Sequence, residues 1–288
     1  MSAKFGPAGN SDAFSAVHKS SLAAPQWIAE QGLDCYEYQC GKGVHVGEDT
    51  ARRVGENARK HGISLSLHAP YFINLANPDP DSLQKTIGYI TSACLVASQM
   101  GASRVVIHSG ALMKRTRREA LDTALRSLRE VIRTCDGQGF GHIALCPETM
   151  GKINQLGDLE EVLELCTLDE RLIPCIDFGH LYARSLGADD GAEAFGRMLD
   201  RVESVLGQSR ASVFHSHFSH IQFTPGGGEK CHRTFDDDDG YGPDWAPLAR
   251  AIARRGWSPT FICESAGTQA TDALTMKRIY QEVLTAQG

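Results

Sequence analysis

Eight short runs of apolar, β-branched or aromatic residues recur along the chain, and they limit its possible folds more than any other feature. They are typical of buried strands and begin near Lys4, Cys35, Ile63, Arg104, His142, Leu172, Ser212 and Pro259. Neighbouring runs begin roughly 30–45 residues apart, about the length of one strand–helix unit. The stretches between them carry Ala, Leu, Glu and Arg at helical spacing. Three of these stretches end in Gly62, Gly101 and Gly256, where glycine favours a helix C-terminus.

Eight alternating strand–helix units in about 250–290 residues predict a (β/α)8 barrel, also called a TIM barrel. An open, doubly wound sheet is the alternative, but it usually has a glycine-rich phosphate turn after its first strand. The first strand of this chain is followed by GPAGN, which lacks that pattern. We therefore expect an α/β protein with a single TIM-barrel domain over residues 1–288.

Composition excludes several classes of protein. The chain is 42% hydrophobic, enough for a sizeable core, and its net charge of −6 excludes a uniformly basic, nucleic-acid-coating surface. It has no apolar run of membrane-spanning length, and its first residues lack an apolar signal core. None of the nine cysteines forms a C-x-x-C pair, and several lie in apolar runs. This pattern predicts reduced, buried thiols. We expect a cytoplasmic monomer without membrane contact.

Acidic residues and histidines end six consecutive predicted strands. Strands three to eight end at or near His68, His108, Glu148, Asp177, His217 and Glu264. Asp, Glu and His make up only about one residue in six of the chain, so this series far exceeds the background. In a TIM barrel the C-terminal strand ends meet at one mouth, where the chemistry of the fold takes place. Bound divalent cations would offset the cost of gathering such groups there.

Two further residues of the same types follow these strand ends. His180 comes three residues after Asp177 in DFGH, and His232 lies in EKCH. Mixed imidazole and carboxylate ligands suit Zn²⁺, Mn²⁺ or Fe²⁺ better than Mg²⁺ or Ca²⁺. His215 shares a strand face with His217 because side chains alternate along a strand. The pattern therefore leaves open which of the two points into the mouth.

The segments that carry these residues resemble the endonuclease IV family of apurinic/apyrimidinic (AP) endonucleases, within the broader xylose isomerase-like barrels. The matching segments extend over nearly the whole chain: HAPYFINLAN, VVIHSG, PETMGK, IDFGH, HFSHIQ, the His232 region and ICES. Each segment is short, and only the set is specific.

The resemblance implies three sets of ligands for two or three Zn²⁺ ions. The first set is His68, His108 and Glu148. Glu148 would bridge to a second ion, which is completed by Asp177, His217 and Glu264. A third ion would bind His180 and His232.

Two positions modify this assignment. The distance along the chain to His232 resembles that of the family when counted from His217, which favours His217 over His215. The family usually has an Asp two residues before the last histidine, where this chain has Lys230. Either Glu229 replaces that ligand, or the site holds two ions only.

The resemblance also implies contacts with DNA. Tyr71 and Phe72 match family residues that wedge into the duplex at the lesion, although an aromatic pair could equally cover the barrel rim. A basic cluster follows strand four and consists of Lys114, Arg115, Arg117 and Arg118. It either contacts phosphates or forms a solvated first helical turn.

These observations predict a metal-dependent phosphodiesterase that cleaves DNA 5′ of abasic sites in base-excision repair. Glu148 and Glu264 would be its catalytic carboxylates, with Glu148 bridging two ions and Glu264 orienting the water. The alternative is a metal-dependent sugar isomerase or epimerase on the same barrel, for which Glu148, Asp177, His217 and Glu264 would suffice. The additional histidines favour the nuclease, whereas Lys230 and the negative net charge favour the sugar enzyme.

Overall fold

A parallel barrel surrounded by helices is the architecture of the computed structural model, which describes residues 2–287. The strands of this range are β1 Lys4–Pro7, β2 Cys35–Gln39, β3 Ser64–His68, β4 Arg104–His108, β5 Ala144–Glu148, β6 Cys175–Asp177, β7 His215–Phe218, β8 His220–Thr224, β9 Gly228–Arg233 and β10 Thr260–Cys263. The helices are α1 Asp12–Val17, α2 Ala24–Glu30, α3 Glu48–His61, α4 Pro80–Met100, α5 Arg117–Gly137, α6 Leu159–Cys166, α7 Phe178–Arg184, α8 Gly191–Leu206, α9 Gln208–Ala211, α10 Trp245–Arg255 and α11 Gln269–Gln287.

The barrel wall contains eight strands in the order β1-β10-β7-β6-β5-β4-β3-β2, and all neighbouring pairs are parallel. Its two edges meet at Ala8 and Glu37, which form a parallel bridge. The Gly9 amide donates a hydrogen bond of 2.9 Å to the Glu37 carbonyl at the same junction. This arrangement confirms the TIM barrel predicted from the repeated strand–helix units. The assignment of one domain to residues 1–288 stays a prediction.

The helices pack their apolar faces on the outside of the barrel. Helix α3 buries Ala51, Val54 and Ala58, which recur at helical spacing. Helices α3, α4 and α10 end at Gly62, Gly101 and Gly256 in the left-handed conformation, as their positions in the sequence predict. Across residues 2–287, the helices are too short or too polar to serve as membrane spans.

An antiparallel hairpin, β8–β9, lies between β7 and α10 and was not predicted as strands. Its register shifts near Gln222 and Phe223, so that Phe223 pairs with Glu229 and Ile221 pairs with His232. Lys230 is the extra residue of this β-bulge. Positions 221 and 223 share one face of β8, so the bulge brings Glu229 to the same face as His232.

Candidate metal centre

The C-terminal strand ends deliver the predicted ligands to one place. A cavity of about 390 Å³ at the barrel mouth is lined by residues that include His68, His108, Glu148, His180, Glu229, His232 and Glu264. Asp177 and His217 are buried against it, and their donor atoms lie within 4.8 Å of those of Glu148 and Glu264. The structure therefore brings together all eight residues that the sequence predicts as ligands. We call these eight residues the ligand cluster.

Glu148 is the centre of the ligand cluster. Its Oε2 atom lies 3.2 Å from Nε2 of His68 and 3.2 Å from Nε2 of His108. Its Oε1 atom lies 3.0 Å from Nδ1 of His217 and 3.4 Å from Nδ1 of His180. The two oxygens of one buried carboxylate thus face different groups of histidines, as a bridging ligand requires.

Asp177 tests whether the cluster suits a cation. Its Oδ2 atom is buried and accepts no hydrogen bond. Nδ1 of His180 lies 3.2 Å from this oxygen, but not in hydrogen-bonding geometry. A buried carboxylate oxygen without a hydrogen bond is costly, and a divalent cation would offset that cost. Glu148, Asp177, His217 and Glu264 are hard or borderline donors within 4.8 Å of one another. The donor chemistry therefore fits a divalent metal ion of the zinc, manganese or iron type.

A further group of donors lies beside this set. Donor atoms of His180, His232 and Glu264 lie within 4.8 Å of one another. Glu229 Oε2 lies 3.6 Å from Nε2 of His180, whereas Lys230 is exposed. The carboxylate beside the last two histidines is therefore that of Glu229, and the β-bulge at Lys230 is what brings it there.

The histidines of the ligand cluster are oriented by hydrogen bonds outside the cavity. In three of them Nδ1 lies within hydrogen-bond distance of a neighbouring oxygen, and Nε2 is left to face the cavity: His68 with the Ala69 carbonyl at 2.7 Å, His108 with the Tyr71 carbonyl at 3.2 Å and His232 with the Ser219 hydroxyl at 2.8 Å. Nδ1 of His180 lies 2.8 Å from the Thr149 carbonyl, but it also lies 3.2 Å from Asp177 and 3.4 Å from Glu148. His217 is reversed, because its Nε2 contacts Glu37 and its Nδ1 faces Glu148. Such contacts fix the ring and its tautomer, as in metal-binding histidines generally.

Burial and mutual attraction shift the pKa values in this cluster. Burial opposes ionisation of Glu148, but the charge of His217 and hydrogen bonds from histidines hold the pKa of Glu148 well below its usual value. Burial would lower the pKa of His180, yet the charge of Asp177 and nearby glutamates raises it to about 9. Burial raises the pKa of Asp177. At neutral pH the metal-free cluster therefore compensates its carboxylates with protons on histidine.

Two buried residues, Glu37 and His215, lie beneath the cluster. Glu37, in the middle of β2, lies 2.8 Å from Nε2 of His215 and 2.9 Å from Nε2 of His217. Hence His217 faces Glu148, and His215 lies one layer deeper. The sequence analysis did not identify Glu37; its signal was an acidic residue between two tyrosines in the strand CYEYQ.

The predicted DNA-contact residues lie at the cavity rim. Tyr71 is 51% exposed, its ring stacks on His108 with centroids 5.5 Å apart, and its hydroxyl donates to Gln39. Phe72 is 52% exposed and packs edge-on against Tyr89. Tyr71 thus forms part of the cavity wall, and Phe72 projects beside it.

The basic cluster after β4 is largely engaged within the protein. Arg117 Nε lies 2.7 Å from Glu161, and Arg118 Nη1 lies 2.9 Å from Glu164. Arg115 donates to Thr123 at 3.0 Å. Arg117 and Arg118 are therefore ion-paired with neighbouring side chains at the start of α5, and Arg115 is hydrogen-bonded just before it.

Comparison with known proteins places the chain in a family. Residues 25–283 match the model of the xylose isomerase-like TIM barrel, and the chain belongs to that family. An uncharacterized protein of Methanocaldococcus jannaschii is 30% identical over 256 residues, which cover 89% of this chain and 90% of that protein. A probable endonuclease 4 of Acholeplasma laidlawii is 27% identical over 165 residues, or 54% of each chain. The resemblance to endonuclease IV identified in the sequence is thereby confirmed.

Solved structures of two kinds share the fold. A D-tagatose 3-epimerase-like protein superposes with a TM-score of 0.73 at 18% identity, covering 99% of both chains. Endonuclease IV from Thermus thermophilus superposes with a TM-score of 0.66 at 17% identity, covering 98% of this chain and 99% of that one. At such identities these likenesses establish the barrel and leave the chemistry to the site.

Proposed function

We propose that this protein is a metal-dependent phosphodiesterase of the endonuclease IV type, which cleaves DNA on the 5′ side of abasic sites. One observation carries the proposal. His68, His108, His180 and His232 converge on the same cavity as Glu148 and Glu264. A sugar epimerase would need only the carboxylate–histidine set around Glu148. The additional histidines could bind further cations, and several cations together stabilise the charge that develops when a phosphodiester is cleaved.

The ligand cluster would hold up to three ions. His68, His108 and Glu148 would bind the first, and Glu148, Asp177, His217 and Glu264 the second. His180, His232 and Glu229 would bind a third. Such ions, which we take to be Zn²⁺ with Mn²⁺ or Fe²⁺ as alternatives, neutralise phosphate charge and make water a better nucleophile.

The side chains supply position and charge. Glu148 is held between two histidine groups at 3.0–3.2 Å, so its carboxylate is kept in one orientation. Glu264 faces the cavity and lies 3.4 Å from His217, where it can orient a water molecule against a bound phosphate. Tyr71 and Phe72 stand at the rim, where apolar rings can fill the gap left by a missing base.

The second candidate is a metal-dependent sugar isomerase or epimerase. The epimerase-like neighbour favours it through the fold alone. In that reaction Glu148 and Glu264 would exchange a proton with a carbon next to a carbonyl. The four further histidines would then have no role in the reaction, and for this reason we rank it second.

Incision of a duplex with one abasic-site analogue tests the proposal. Protein loaded with zinc should cut immediately 5′ of the analogue and leave the matched undamaged duplex intact. Glu148→Gln should lower the incision rate more than about 100-fold, since even partners of metal ligands are worth 10–100-fold. Protein with two or three bound ions per chain that leaves the abasic duplex uncut would contradict the proposal. Ketose sugars would then be assayed for epimerisation with the same preparation.

The cellular setting follows from the same proposal. All nine cysteines are free, and eight of them are buried. Free thiols persist in a reducing compartment, so we infer that the enzyme acts in the cytoplasm. We further propose that it acts there on abasic DNA and as a monomer. Sedimentation of the purified protein would test the monomer, and a stable dimer would contradict it.

A further inference from the structure

A buried network lies beneath the ligand cluster and connects it to the floor of the barrel. It consists of Glu37 on β2, Ser66 on β3, and His215 and His217 on β7, and we call it the Glu37 network. Strands β2 and β7 are not neighbours in the barrel wall. The contact between Glu37 and the two histidines therefore crosses the barrel interior.

Glu37 receives four side-chain hydrogen bonds and is completely buried. Its Oε1 atom lies 2.9 Å from Nε2 of His217 and 3.2 Å from the amide Nε2 of Gln39. Its Oε2 atom lies 2.8 Å from Nε2 of His215 and 2.9 Å from the Ser66 hydroxyl. A carboxylate only accepts, so each of these partners must donate, and both histidines carry a proton on Nε2.

His215 is fixed from its other side as well. Arg104 Nη1 lies 3.4 Å from Nδ1 of His215, and a guanidinium can only donate. Nδ1 of His215 must therefore accept, which again leaves the proton on Nε2, facing Glu37. Arg104 is in turn anchored on the Val213 carbonyl at 2.8 Å. The orientation of Glu37 is thus determined independently of His217.

His217 differs from His68 and His108 because its Nδ1, rather than its Nε2, faces Glu148. Nδ1 lies 3.0 Å from Glu148 Oε1 and 3.4 Å from Glu264 Oε2. A proton on Nδ1 would prevent metal binding at that atom. Without a metal ion, Nδ1 donates to Glu148, so His217 carries a proton on each nitrogen. The hydrogen bond to Glu37 holds the proton on Nε2, so the proton that a metal ion displaces is the one on Nδ1.

We propose that Glu37 is the positioning residue of the metal centre, which selects the tautomer of His217 that can bind a metal ion, and that His215 and Ser66 hold Glu37 for this purpose. This inference rests on the proposed metal centre, and it does not depend on the substrate. In Glu37→Gln, one accepting oxygen is replaced by an NH2 group, which can only donate. This group would then face the N–H of His215 or of His217. A proton on Nδ1 of His215 would face the N–H of Arg104, so His215 keeps its proton on Nε2. His217 is therefore the ring that loses its fixed tautomer.

Zinc affinity of Glu37→Gln tests this role. Zinc competition with a chromophoric chelator should give an affinity about 10- to 100-fold below that of the wild type, the usual cost of losing a partner of a metal-bound histidine. Ser66→Ala is the matched control, because it removes one hydrogen bond to Glu37 without touching His217. It should cause a much smaller loss. A Glu37→Gln variant that folds and binds zinc as the wild type does would overturn the proposal.

A second measurement uses the wild type and is independent of how the variant folds. Zinc-loaded protein labelled with ¹⁵N on histidine should show His217 protonated on Nε2 and coordinated through Nδ1. Its signals are assigned by their loss in His217→Gln. A proton on Nδ1 would overturn the proposal. Wild-type protein that takes up no zinc would instead contradict the proposed function, so the two failures are distinct.

Discussion

Glu229 Oε2 lies 3.6 Å from Nε2 of His180, although the two residues belong to different elements and are separated by 49 positions in the chain. The contact exists because Lys230 is bulged out of the β8–β9 pairing. Where the endonuclease IV family usually has an aspartate two residues before the last histidine, this chain has a lysine with a glutamate immediately before it. The bulge restores a carboxylate to the site.

We predict that Glu229→Ala removes one metal ion per chain from a protein that otherwise binds three. Glu264 also lies near this pair, but it is assigned to the second ion. Loss of the Glu229 carboxylate therefore leaves His180 and His232 alone, and two imidazoles are too few for a stable zinc site. Metal content after dialysis, measured by mass spectrometry, would give two ions in place of three. Lys230→Ala is the matched control and should keep all three. Equal metal content in both variants would show that Glu229 is not a ligand.

We predict that zinc stabilises the protein more strongly at pH 9 than at pH 6.5. The pKa of His180 is raised to about 9 in the metal-free protein, chiefly by the charge of Asp177 against the opposing effect of burial. Because that folded-state pKa lies above the unfolded value, this proton stabilises the metal-free fold fully below pH 6.5. The contribution is lost as the pH rises through 9.

Zinc binding needs the neutral imidazole, so the proton must leave, and affinity increases over the same interval. Differential scanning calorimetry with and without zinc would show a growing difference in Tm from pH 6.5 to pH 9. His180→Asn should flatten this trend. A zinc-induced change in Tm that is constant over the interval would contradict the assignment.

We predict that Phe72→Ala weakens binding to an abasic duplex without changing metal content. The ring is half exposed and packs edge-on against Tyr89, which is not one of the ligands, so its removal should leave the ligand cluster intact. Loss of one stacking contact is worth about 1–3 kcal/mol. Fluorescence anisotropy with labelled duplex would measure it. Leu95→Ala is the control, because Leu95 is also about half exposed but lies on α4, and it should leave the affinity for the duplex unchanged. Unchanged affinity in Phe72→Ala would indicate that Phe72 merely covers the rim.

We predict that Gly6→Ala destabilises the barrel where its edges meet. A Cβ atom at Gly6 would lie 1.8 Å from the backbone carbonyl oxygen of Cys35, so β1 and β2 would have to separate. Overpacking of this kind costs about 1–3 kcal/mol or more. Gly88→Ala is the matched control, because nothing lies within 4 Å of its Cβ position in α4. It should stabilise by about 0.4–1 kcal/mol. Urea denaturation that ranks the two variants in the opposite order would contradict this account.

Local patterns in the sequence were enough to predict the fold and the end of the barrel that carries the site. Apolar runs separated by helical stretches marked all eight wall strands, because a parallel barrel must alternate buried strands with covering helices. Six of the ligand residues could be read from strand ends, since parallel strands bring their C-terminal ends to one mouth. His180 and His232 followed from their proximity to such ends and from the resemblance to endonuclease IV.

Contacts between distant segments settled what alternation along a strand leaves open. A period of two assigns His215 and His217 to one face, but the depth of each in the barrel depends on the stagger of neighbouring strands. Glu37 became significant only when the barrel closed and brought β2 opposite β7. The side chain of Glu229 came to the face of His232 through a register shift, and nothing in the local sequence marks where an extra residue will bulge. These positions depend on long-range packing, which local patterns do not record.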